Sequence, residues 1–217
     1  MVTPQQALEY FTKEKPSILK VIFFGVVGIL FGLSLLIKGH TFWGIAIIII
    51  AILAYYGLKD LLAKYPTDEA IDSSFAQLMD IKRNEAIKKL DLQQDEMVRE
   101  PLSILGVGKF DYEKEGEDGV TRYNPLILEI VFFGKKQLIV NEVSLDLINQ
   151  GEYKARTNEF FYQDVSAVSV YDDDDGKKFA IKVHGQTECD ISISDSNIEL
   201  AEEAVKSIRK VLRETKA

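Results

Sequence analysis

Hydrophobic positions along the chain change their period three times, and each change marks a different kind of element. Residues 21–58 are apolar with hardly any period. Val21–Ile37 carries no charge over 17 residues and Thr41–Leu58 none over 18, lengths that match the roughly 17–25 residues a membrane-spanning helix needs. Ile45–Leu53 is apolar on every face of a helix, a pattern that suits lipid better than a soluble core. Only Lys38, Gly39 and His40 separate the two runs, so the pattern predicts two transmembrane helices, 21–37 and 41–58, joined by a tight turn. A cleaved signal peptide does not fit, because no small-residue cleavage site precedes the second run.

On either side of this hairpin the period is helical. Ala7, Leu8, Tyr10 and Phe11 stand ahead of Lys13 and Lys15 in a short amphipathic segment within 1–20, which Pro16 ends. After Tyr65-Pro66, Thr67 is placed to cap a helix that has Asp68 and Glu69 in its first turn. Ile71, Phe75, Leu78, Met79, Ala86, Ile87 and Leu90 follow at helical spacing, and Asp91–Met97 reads as a further short turn of helix. Residues 59–100 are thus a predicted helical connector, and Tyr65–Met97 reads as the one covalent path between the membrane part and the C-terminal domain.

From Pro101 the period becomes two. Leu102, Ile104 and Phe110 line one strand face, followed by an acidic loop over Tyr112–Val120 (YEKEGEDGV). Further strands are predicted at Leu126–Phe133, Gln137–Leu147, Tyr153–Tyr162, Val165–Tyr171, Phe179–His184 and Cys189–Ser194. Phe179, Ile181 and Val183 alternate with polar residues, as do Cys189, Ile191 and Ile193, the pattern of antiparallel strands with one wet face. The chain closes on a helix with a Ser196/Glu199 capping box and a stripe of Ile198, Ala201, Val205, Ile208 and Leu212. The expected fold class is α+β: a transmembrane helical hairpin, a helical connector, and over 101–217 an antiparallel β-barrel, partly open and plugged by the C-terminal amphipathic helix.

Charge adds a topology. Lys13, Lys15 and Lys20 precede the first span and Lys59 and Lys64 follow the second, against Lys38 alone in the turn. Lys/Arg excess marks the inner side, so both termini and the β domain are expected in the cytoplasm, behind a bacterial inner membrane. Residues 1–66 carry net +3 and residues 67–217 net −11, so the domain is expected to be repelled by nucleic-acid backbones in general. A single Cys189 excludes an intrachain disulfide and reads as a core residue.

No P-loop, GxSxG or dinucleotide fingerprint is present, and one cysteine with two distant histidines makes no zinc or haem set. Catalysis, metal and cofactor therefore have no candidate. Asp172-Asp173-Asp174-Asp175-Gly176 lacks the alternating spacing of a calcium loop and reads as a solvated hairpin turn. Gly25, Gly28 and Gly32 put small residues along the first span, Gly28 and Gly32 in a GxxxG. That spacing lets another backbone approach, either a second subunit's or the hairpin's own second helix. For a phosphate-bearing ligand the candidates are Arg122 beside Tyr123, and Lys154 and Arg156 near Phe160 and Tyr162, where charge and aromatic faces combine. The plainer reading of these cations is strand-edge protection.

The stretch Glu159–Val170 (EFFYQDVSAVSV) joins an aromatic strand end, a Tyr-x-Asp-Val turn and a β-branched strand. In this, and in the strand-rich region closed by a helix from Leu126 to Leu212, the chain resembles the pleckstrin-homology (PH)-like domains of bacterial membrane proteins. The resemblance implies a non-catalytic binding fold. It departs from the lipid-binding members, whose first hairpin loop is basic; here that loop carries Glu113, Glu115, Glu117 and Asp118. The overall layout also resembles membrane effectors of bacterial anti-phage systems, including two-span cyclic-nucleotide-gated effectors and the HalA subunit of Hailong systems. That resemblance implies a homo-oligomeric ion channel gated through the β domain by a nucleotide, an oligonucleotide or a partner enzyme that makes one. A membrane-anchored PH-like interaction module without pore activity stands beside it.

Overall fold

A computed structural model describes residues 1–15, 17–92, 96–149, 155–174, 176–193 and 197–216. The chain forms two compact units, Gln5–Thr67 on one hand and Met1–Pro4 with Asp68–Ala217 on the other. It is α+β: helices first, then an antiparallel sheet, then a C-terminal helix.

The first unit holds most of α1 (Pro4–Thr12), α2 (Ile18–Ile37) and α3 (Thr41–Lys64). Ala7, Tyr10 and Phe11 form the buried face of α1. The Tyr65 hydroxyl donates to the carbonyls of Lys13 (2.7 Å) and Tyr10 (3.2 Å), fixing α1 to the end of α3. α2 and α3 pack antiparallel, turning at Gly39, whose φ of +82° favours glycine. Among the described residues, one helical run, beginning at Thr41, is long and apolar enough to cross a membrane. The apolar stretch described in α2, Ile22–Ile37, falls just short of the roughly 17 residues a span needs.

The second unit is built on a seven-stranded sheet in the order β6-β5-β4-β1-β9-β8-β7. Its strands are β1 (Met97–Val107), β4 (Leu126–Gly134), β5 (Gln137–Leu145), β6 (Ala155–Phe161), β7 (Val165–Asp173), β8 (Gly176–Val183) and β9 (Gln186–Ile193). A separate hairpin, β2 (Tyr112–Glu115) and β3 (Thr121–Asn124), interrupts the path from β1 to β4. Two meanders, β4-β5-β6 and β7-β8-β9, are therefore joined through β1. The expected partly open barrel is an open seven-stranded sheet: β6 and β7, consecutive in the chain, turn a corner at Tyr162–Asp164 without pairing and remain the two edges.

Both faces of the β4–β5 region are buried. Val131, Phe133, Leu138 and Val140 share a core with Phe179, Ile181 and Ile191 and with Ala201, Ala204, Val205 and Ile208 of α5 (Ile198–Lys216). Leu128, Ile130 and Phe132 alternate with the first set on β4 and are equally buried, on the side where α4 (Asp68–Lys89) packs against β5. Ile71, Phe75, Leu78 and Ala86 of α4 are buried as well. Each large apolar side chain among these contributes roughly 1.5–3 kcal/mol by burial. The predicted connector is thus, from Asp68 onward, an integral layer of the β unit.

Three local expectations need correction. Of the Asp91–Met97 stretch, residues 93–95 lie outside the described residues, and neither described end is helical: Asp91 takes a left-handed φ of +50°, the amide of Leu92 bonds back to Ile87, and Met97 already opens β1. Pro101 lies inside β1, where the pairing register with β4 shifts between Arg99 and Leu102, because proline has no amide to give the ladder. The acidic Tyr112–Val120 segment contains strand β2 of the small hairpin, and Phe110 stands outside β1 with its ring 4.8 Å from that of Tyr123. Met1–Pro4 also belongs to the β unit, the Val2 amide donating to Ser74 Oγ at 2.8 Å. The chain therefore passes between the units twice, not once. The Ser196 capping position lies outside the described residues.

Candidate functional site

Among the described residues, the proposed ligand residues do not converge. Arg122 on β3 is buried and surrounded by carboxylates. Its Nε and Nη2 donate to Asp72 Oδ1 and Oδ2, both at 2.7 Å, and its Nη1 and Nη2 donate to Asp118 Oδ1 (2.9 Å) and Oδ2 (2.7 Å). Asp68 stands 4.0 Å away and accepts the Glu117 amide at 2.7 Å. The arginine holds the Asp118 carboxyl well below the usual carboxylate range. Two bidentate pairs occupy the guanidinium fork, so Arg122 ties the β2–β3 hairpin to the first turns of α4 and is not open to a ligand. That correction could not be read locally, because Asp72 lies fifty residues away. Tyr123 packs on Phe110. Arg156 sits on edge strand β6 opposite Glu142 of β5, in the other sheet. Lys154 lies outside the described residues.

The acidic turn joins β7 to β8. Asp173 pairs with Lys178, and Asp172 with Lys177 at 3.7 Å; Asp175 is outside the described residues. Asp172 and Asp173 thus face lysines of the neighbouring strand.

Gly25, Gly28 and Gly32 all face α3. A Cβ added at Gly28 would lie 2.7 Å from Ala51 Cβ. One at Gly32 would lie 2.5 Å from Ile48 Cγ1 and 2.9 Å from the Gly44 carbonyl oxygen, while Gly44 in turn approaches Leu36 and the Gly32 carbonyl. At Gly25 the nearest atom is Tyr55 Cδ2 at 3.6 Å. The small-residue face therefore serves the close approach of α2 to α3 within one hairpin. What the hairpin presents outward is large and apolar: Phe23, Phe24, Leu30 and Phe31 on α2 and Ile50 and Leu53 on α3 each expose more than half their surface.

The sequence reading missed a groove of about 790 Å³ between edge strand β7 and α5. Its walls are Val165 and Val168 on one side and Leu212 on the other, with Lys206, Arg209 and Arg213 along α5. Arg209 donates from Nε (3.1 Å) and Nη2 (2.9 Å) to the Val168 carbonyl on the sheet edge. The available signal was charge segregation. Lys206, Arg209, Lys210 and Arg213 follow one another with no acid between Glu203 and Glu214.

A second buried polar group lies in the sheet. Glu129 of β4 is 1 % exposed, and the Cys189 thiol of β9 is 3.0 Å from both its carboxylate oxygens. Burial pushes the Glu129 carboxyl up to about 7, with further upward contributions from Glu142 and Asp190 and an opposing one from the Cys189 hydrogen bond. Burial and the adjacent Glu129 push the Cys189 thiol up, the reverse of what a reactive thiolate requires.

No protein-family model matches the chain, and no curated protein matches it significantly.

Proposed function

We propose that this chain is an oligomeric membrane effector. Its α2–α3 hairpins lie in a bilayer, several copies together make an ion pathway, and the PH-like cytoplasmic domain assembles the copies and receives the signal. The observation that carries this reading is the hairpin's outer surface. Phenylalanine, leucine and isoleucine are exposed around both helices, far beyond the few hundred Å² of apolar patch a soluble monomer tolerates. Lipid and neighbouring hairpins are the surroundings that satisfy it. The PH-like reading of the domain is supported by the two meanders joined through β1 and by α5 packing into their shared core. The signal is a nucleotide, an oligonucleotide or the protein that makes it, and the setting is bacterial defence against phage, as the layout's resemblance implies.

A second reading, a membrane-anchored interaction module without a pore, is favoured by the glycine face, which closes each hairpin on itself. The two differ at the junctions. In the effector, stiff passages at 4–5 and 67–68 carry movement from domain to hairpin; in the tether, a flexible leash serves as well. The test replaces residues 2–4 and 66–67 with Gly/Ser and follows membrane potential, by voltage-sensitive dye, before and after phage infection in cells expressing this variant or the wild type. The effector is expected to depolarise the wild-type cells on infection and to leave the variant's potential unmoved, because uncoupling leaves its path permanently open or shut. Identical responses in the two strains, with both proteins in the membrane fraction, support the tether.

A further inference from the structure

Two surfaces of the β unit are complementary in charge and belong to different sheets. The first is the β7–α5 groove, along the last strand of the large sheet and flanked by Lys206, Arg209 and Arg213 in a domain of net −11. The second is β2, an outer strand of the small hairpin, which exposes Glu113 and Glu115 on one face. We propose that β2 of a second copy docks along β7 in this groove, setting its glutamates against the α5 cations. The proposal deepens the oligomeric reading above and rests on it.

Spacing supports the match. Arg209 and Arg213 are one helical turn apart, about 6 Å along α5. Glu113 and Glu115 are two strand residues apart, about 7 Å. Backbone hydrogen bonds from a sheet edge supply affinity in strand addition, and flanking side chains supply specificity. A nucleobase fits less well, because among the described residues no aromatic side chain lines the groove to stack it. The contact is head to tail, since groove and strand are different surfaces; such contacts close into rings when the rotation per copy permits. Arg209 bonds the Val168 carbonyl, which takes that acceptor from an added strand and fixes the guanidinium at the edge where the glutamates would arrive.

The test uses the full chain in lipid nanodiscs, with native mass as readout. Lys206→Glu with Arg213→Glu leaves Arg209 and the core untouched, and both side chains are exposed. Glu113→Lys with Glu115→Lys reverses the other surface. Each double variant is expected to fall from the wild-type oligomer to single chains or lower-order species, with an unchanged circular dichroism spectrum. Combining all four is expected to restore the wild-type mass. An oligomeric wild type whose mass neither double variant changes would overturn the docking contact and leave assembly to the hairpins. Loss without restoration by the four-fold variant would also overturn the pairing of β2 with the groove. A wild type that runs as a single chain would instead remove the oligomeric reading itself.

Discussion

Replacing Glu129 with glutamine is expected to remove a loss of stability of about 3 kcal/mol that the wild type suffers on going from pH 4.5 to above pH 7. The carboxyl is almost fully buried on β4, opposite Glu142 and beside Asp190, with the Cys189 thiol as its hydrogen-bond partner. Its proton is released near 7 in the folded chain against 4.5 in the unfolded one. Between these values the native state holds more protons, so stability falls as pH rises. The protonated carboxyl's contribution is complete below about 4.5 and lost as pH passes 7. A difference of about 2.5 pH units at roughly 1.36 kcal/mol each gives the magnitude. Urea unfolding at several pH values checks it: the wild-type curve minus the Glu129→Gln curve should slope downward by that amount. A parallel pair of curves would show that Glu129 is hydrated in the folded domain. Cys189→Ala removes a hydrogen bond that favours the charged form, so it should move the slope to higher pH.

The second large effect is expected in the hairpin. Gly32→Leu would drive side-chain atoms into the Gly44 carbonyl and Ile48, 2.9 and 2.5 Å from its Cβ. Backbone cannot yield there without parting the helices, and overpacking of this kind costs about 1–3 kcal/mol or more. Gly57→Leu is the matched control, because nothing lies within 4 Å of a Cβ at Gly57. Trp43, the only tryptophan, adjoins Gly44 and reports locally. In detergent, the thermal transition of Trp43 emission should fall by several degrees for Gly32→Leu and stay in place for Gly57→Leu. Equal behaviour of the two would refute the glycine seam.

β8 and β9 were legible because alternation of apolar and polar residues is a local property, and β4 because a short apolar run between turn residues is strand-like in length. The start of β1 was not, because Pro101 imitates a boundary while lying at a bulge. The strand order of the open sheet was not, because alternation says which face is buried but not which strands pair. Arg122 shows the same limit in the site: charge beside an aromatic ring resembles a ligand contact until Asp72 arrives from α4. Gly28 and Gly32 announced a close approach, and only packing could name Ala51, Ile48 and Gly44 as what approaches. The β7–α5 groove needed both the edge position of β7 and the docking of α5, neither of which spacing contains. Glu129 was not singled out in Leu126–Phe133, because its partner Cys189 is sixty residues away.

Everything proposed for this chain depends on the α2–α3 hairpin lying in a bilayer with its turn outside and the β unit inside. The most direct measurement labels intact cells with a membrane-impermeant maleimide. His40→Cys places a thiol in the exposed turn, at a position that makes no side-chain cap bond, and the native Cys189 is buried and stays silent. Lys109→Cys, an exposed position in the β unit, is the inner control. The expected result is labelling of His40→Cys in intact cells and of Lys109→Cys only after lysis. Labelling of Lys109→Cys from outside would invert the topology, and protection of both in intact cells with the protein in the soluble fraction would contradict membrane insertion itself.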